Sequence, residues 1–113
     1  MNIGFIGLGV MGRPMAGHLI DAGHKVHLNR VKDASRFLVD KGGLALDTPL
    51  AVAQASDVII LMVPDTGDVE TVLFGESGVA GGLAEGKLVI DMSSISPVAT
   101  KAFAARVNAL GAD

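Results

Sequence analysis

Gly7, Gly9 and Gly12 stand in a G-x-G-x-x-G spacing inside GFIGLGVMGRPM, residues 4–15. The spacing carries chemistry in one context, a turn that leaves a strand and opens a helix. There the first glycine permits a tight turn. The second, lacking a Cβ, lets the backbone approach a pyrophosphate, and the third lets helix and strand pack closely. The amides of Val10 and Met11 would then face the phosphates from the helix N-terminus. No Gly-Lys-Ser/Thr follows, which disfavours a mononucleotide P-loop. The run is apolar enough for a secretory signal, but no Lys or Arg precedes it, and Arg13 and Pro14 follow at once. A strand–helix turn that binds nothing is the plain alternative.

A second group lies about 20 residues further on, where an NAD site usually has Asp or Glu to accept from the ribose 2′-hydroxyl. This chain has Asn29 and Arg30 there. Arg30 can pair with a 2′-phosphate and Asn29 can donate to one, so NADP(H) is favoured, with NAD(H) kept open. Asp33 is the nearest acid and reads better as a helix cap. Two further stretches fall at strand ends. In MVPDT, Pro64 ends pairing, so the backbone of Met62 and Val63 can line the adenine-ribose side, with a plain strand end as the alternative. In DMSSISP, Ser93 and Ser94 offer small hydroxyls, whereas Ser96 reads as an N-cap. His18, His24 and His27 show no metal spacing. Asp57 and Asp91 read as structural hydrogen-bonders, and the five Met residues as mostly core filler.

The elements that must position these groups alternate. Strands are predicted at NIGFIG, KVHLN, a weak LALD, DVIILMVP and KLVIDM. The last two are apolar throughout, as strands buried on both faces should be. Helices are predicted from Val10 to Gly23, from Asp33 to Gly42 or Gly43, from a Thr48 cap with Pro49 at its first position, over TGDVETVLFG, and from a Ser96 cap. GVAGGLAEG reads as a loop with one helical turn. In the last helix Val98, Ala99, Ala102, Phe103, Arg106, Val107 and Leu110 fall on one stripe, ended by Gly111. Such alternation predicts parallel βαβ units and a Rossmann-like, doubly wound α/β sheet. Another strand is due after the last helix. The chain is therefore expected to be an incomplete domain, with KLVIDM as an unpaired, apolar, sticky edge.

Composition narrows the classes. The 113 residues suffice for one small domain, and half are hydrophobic. With no cysteine there is no disulfide framework, thiolate metal site or Cys nucleophile, which suits a reducing, cytoplasmic setting. The net charge of −3 and the lack of Trp and Tyr give nothing for nucleic acid. No apolar run reaches the roughly 18 residues of a membrane span.

Together, GFIGLGVMGRPMAGHL, MVPDTGDVETVLFG and DMSSISP resemble the N-terminal cofactor domain of the β-hydroxyacid dehydrogenase family, over essentially the whole chain. Within the family the likeness leans towards members acting on tartronate semialdehyde, then on 3-hydroxyisobutyrate. The resemblance implies hydride transfer between NAD(P) and a short 3-hydroxy acid or its aldehyde, and a homo-oligomer at full length. It implies that Gly7, Leu8, Gly9, Val10, Met11 and Gly12 hold the pyrophosphate. Asn29 and Arg30 would meet the adenosine ribose, Val63 and Pro64 would line the groove, and Ser94 would contact the nicotinamide end. The family's Ser-Gly-Gly substrate loop, catalytic lysine and all-helical second domain have no counterpart here. None of Lys25, Lys32, Lys41, Lys87 or Lys101 stands in the lysine motif, so no catalytic residue is assigned. A non-catalytic dinucleotide-binding module remains the alternative, and a methyltransferase-like domain shares the glycines but gains nothing from Arg30.

Overall fold

The computed structural model describes residues 2–8, 12–29, 31, 35–63, 66–84, 86–92 and 97–112, with the side chains of 66 and 97–100 outside that description. Five strands, β1 (Asn2–Ile6), β2 (Lys25–Asn29), β3 (Leu44–Ala45), β4 (Val58–Leu61) and β5 (Leu88–Asp91), form one sheet in the order β3-β2-β1-β4-β5. All four pairings are parallel. The chain therefore moves outwards from β1 to β3, crosses back over β1, and moves outwards again through β4. Successive residues of a strand face opposite sides. Ile3 and Phe5 join Val26, Leu28 and Ile60 in one core under α1 (Gly12–Asp21) and α2 (Phe37–Asp40). Ile6 joins Ile59, Leu61 and Val63 in the other, under α3 (Pro49–Ala55), α4 (Thr66–Phe74) and α5 (Pro97–Ala109). Helices on both faces of a parallel sheet make the doubly wound architecture that the alternation predicted.

Local chemistry explains most boundaries. α1 ends where Gly23 takes φ +92, a conformation that costs a Cβ-bearing residue about 1–2 kcal/mol. The Gly23 amide then donates to the Ile20 carbonyl, and the His24 amide to that of Leu19. Gly42 and Gly43 close α2 in the same way, donating to Val39 and Leu38. Thr48 caps α3, its hydroxyl accepting from the Ala51 amide at 3.1 Å, with Pro49 at the first position. At the other end of α3, the Lys87 ammonium donates to the carbonyls of Ala53 and Ser56. The GVAGG stretch is a short 3₁₀ turn, Val79–Gly82.

Three expectations change. α2 has four residues: it begins only after Arg36, which holds the N-cap position and makes no side-chain cap bond, and it ends at the expected Gly42–Gly43 stop. The expected Asp33 and Ser96 caps lie outside the described residues. β5 is not buried on both faces: Leu88, Ile90 and Met92 are 41, 38 and 46% exposed. It is the edge strand, and α1 and α2, which cover their face of the sheet, sit over β1 and β2. Met92 is accordingly not core filler. The α5 stripe is also narrower than its periodicity suggested. Phe103 and Val107 are buried, whereas Ala102, Arg106 and Leu110 are exposed. Arg106 lies over the Phe74 ring instead, 3.7 Å from its centroid.

Candidate functional site

The strand order reverses at β1: the chain runs to β2 on one side and β4 lies on the other. In open α/β sheets, ligands bind at this point, beyond the carboxyl ends of the strands. The ends of β1 and β4 are tied together by the Met62 amide, which donates to the Ile6 carbonyl at 2.9 Å. β5 joins them through the Met92 amide and the Leu61 carbonyl, also at 2.9 Å. Gly7 leaves β1 with φ +98. A Cβ on Gly7 would run into the Met62 carbonyl oxygen and lie 2.7 Å from its carbon. At Gly12 a Cβ would strike the Gly7 carbonyl and come within 3.2 Å of Phe5 Cε1. Helix α1 is thus seated directly on the turn, with no room for a methyl group.

The first turn of α1 contains no acid and includes Arg13. Helix N-termini usually attract carboxylates, so this bias suits an external anion. Leu8 is 8% and Val63 4% exposed, and the two residues belong to the two cores. Gly9, Val10, Met11, Arg30, Pro64, Ser93 and Ser94 lie outside the described residues.

Asn29 is buried, and its Nδ2 donates to the Leu46 carbonyl at 3.0 Å. One amide hydrogen expected to face a cofactor phosphate therefore fastens β2 to the segment after β3. Next to Asn29 opens a cavity of about 480 Å³, also lined by Val31, Arg36, Leu46 and Asp47. Neither Arg36 nor Asp47 followed from sequence reasoning. Their only signal was that Arg36 falls in the helix predicted from Asp33 and Asp47 in the weak LALD strand.

Among the described residues, the other titratable groups form no second site. His27 lies mid-strand opposite Gly4, on the α3 face. Burial, reinforced by Lys25, lowers its pKa below the usual 6.5. Its Nε2 and the Ser56 hydroxyl are buried without hydrogen-bond partners among the described residues. Lys41 pairs with Asp21 at 2.8 Å, and Lys87 caps α3. Among the described residues, no three His, Cys, Asp or Glu side chains gather for a metal, and no helix is long and apolar enough to cross a membrane.

This sheet order, the reversal at β1 and the glycine turn beneath α1 define a dinucleotide-type Rossmann domain. The chain belongs to the family described as the NAD binding domain of 6-phosphogluconate dehydrogenase, whose profile matches residues 2–113. It is 50% identical, over its whole length, to 2-hydroxy-3-oxopropionate reductase of Escherichia coli K12, covering 39% of that protein. A crystal structure of 3-hydroxyisobutyrate dehydrogenase from Salmonella typhimurium superposes with a TM-score of 0.91 at 27% identity, over all of this chain and 40% of that one. The structure of Psf3 in complex with NADP+ and 2-OPP gives 0.90 at 27% identity, over 98% of this chain and 40% of that one. The chain spans about two fifths of the length of the curated relatives it matches.

Proposed function

We propose that the chain is the N-terminal cofactor-binding unit of an NAD(P)-dependent oxidoreductase of the β-hydroxyacid dehydrogenase type. The nicotinamide dinucleotide, when bound, supplies or accepts hydride. The partner is a short 3-hydroxy acid or its semialdehyde, with tartronate semialdehyde to glycerate favoured by the likeness to 2-hydroxy-3-oxopropionate reductase. The observation that carries the proposal is the Gly7–Gly12 turn, closed against the Met62 carbonyl at the reversal of strand order.

In this proposal the backbones of Gly7, Leu8, Gly9, Val10, Met11 and Gly12 hold the pyrophosphate. Asn29 and Arg30 meet the adenosine ribose, Val63 and Pro64 line the groove, and Ser94 contacts the nicotinamide end. Arg30, with no acid at the end of β2, supports NADP(H) over NAD(H). The substrate groups and the catalytic lysine belong to further polypeptide of the kind the relatives carry, in a cytoplasmic homo-oligomer.

Titration with NADPH and with NADH, followed by nicotinamide fluorescence, tests the proposal. The chain has no Trp or Tyr to obscure the signal. Both cofactors should bind, NADPH more tightly. Binding of neither refutes the cofactor site, and tighter NADH refutes the role given to Arg30.

A further inference from the structure

The cavity at the end of β2 holds two opposed charges that the glycine turn does not explain. Arg36 stands beside α2 and Asp47 just past the end of β3. The Leu46 amide donates to the Leu28 carbonyl at 2.8 Å, and the Asn29 side chain donates back to the Leu46 carbonyl. These two bonds hold the segment bearing Asp47 alongside the end of β2. Both charged side chains are exposed, and neither forms an ion pair among the described residues. Val31 and Val39 supply an apolar wall. One cavity thus offers apolar side chains, a cation and a carboxylate at the strand end where the adenosine ribose of a dinucleotide is read.

We infer that Arg36 and Asp47 are opposing specificity-determining residues for the cofactor's adenosine end. Arg36 attracts a ribose 2′-phosphate and Asp47 repels it, so that their balance sets how strongly NADP(H) is preferred. This rests on the cofactor reading proposed above. The physical ground is charge. A 2′-phosphate adds close to two negative charges and three acceptor oxygens, which a guanidinium can pair with and a nearby carboxylate opposes. A 2′-hydroxyl adds no charge and should respond weakly to either residue. β2 itself ends in an amide already bonded to Leu46, so the discriminating charge must come partly from its neighbours.

The test uses adenosine 2′,5′-bisphosphate and AMP, which differ only at the 2′ position, in calorimetric titrations of the chain and of Arg36→Gln and Asp47→Asn. Both positions are exposed, so both variants should keep the wild-type melting temperature. Arg36→Gln should weaken the bisphosphate about fivefold, and Asp47→Asn should tighten it by a similar factor, the scale of one partly screened charge interaction. AMP should shift by less than about twofold in either variant. Bisphosphate affinity rising with added salt in the wild type would contradict a net attraction and overturn the inference. Unchanged bisphosphate-to-AMP ratios in both variants, with AMP still bound, would overturn this inference alone. A wild-type chain that binds neither nucleotide nor NADPH would overturn the cofactor reading and this inference with it.

Discussion

Gly7→Ala probes how the crevice between β1 and β4 is closed. Two costs add at this position. With φ +98, any residue with a Cβ is strained by about 1–2 kcal/mol. The new methyl group would also meet the Met62 carbonyl, with Val63 Cγ1 at 3.0 Å. That carbonyl cannot simply retreat, because the amide of the same residue donates to Ile6 at 2.9 Å. Backbone displacement from overpacking costs about 1–3 kcal/mol more. The total is about 2–5 kcal/mol, a large share of the roughly 5–15 kcal/mol that holds a domain together. Gly23→Ala is the matched control. It has a similar φ, +92, but nothing within 4 Å of the added Cβ, so it carries the first cost alone. At about 4 °C per kcal/mol for a chain of this size, Gly7→Ala should lower the melting temperature by about 8–20 °C and Gly23→Ala by about 4–8 °C. Thermal melts and urea midpoints followed by circular dichroism measure both. A difference below about 1 kcal/mol between the variants would mean that the Met62 carbonyl does not close the turn, and the reasoning would be wrong.

His27 should make the chain acid-sensitive. Its pKa is lowered in the folded state by burial and by Lys25, whereas in the unfolded chain it titrates near 6.5. Stability should be full above about pH 6.5 and should fall as pH drops from there through the folded-state value, where the unfolded chain binds more protons. Urea midpoints across this range should be shallower in pH for His27→Gln, and equal slopes would refute the assignment. The uncovered face of β5 should drive self-association. Ile90→Thr keeps a β-branched residue in the strand while removing apolar surface, so sedimentation velocity should show less concentration-dependent association than the wild type.

Most of the architecture was legible because its signals are local. Apolar runs such as Val58–Val63, the Thr48–Pro49 cap and the Gly23 stop act within a few residues, and each appears where its chemistry predicts. The spacing of Gly7 and Gly12 likewise anticipated a tight turn under a closely packed helix, although not that Met62 would be the group excluding a side chain. Less was legible where burial depends on what lies across the sheet. KLVIDM lies at the edge, as expected, but it reads as apolar throughout like DVIILMVP, and its local pattern does not show that Leu88 and Ile90 are left 41 and 38% exposed. The α5 periodicity similarly marked seven positions, and of those whose side chains are described only Phe103 and Val107 are buried.

Residue order therefore set the succession of strands and helices, the glycine turn and the class of ligand. Periodicity, capping and backbone freedom are properties of neighbouring residues. The three-dimensional arrangement settled which face of β5 stays open and that Asn29 spends an amide hydrogen on Leu46. It also brought Arg36 and Asp47 to one cavity. Those outcomes depend on parallel register between segments far apart in the chain, and no local pattern encodes which strand will lie beside which.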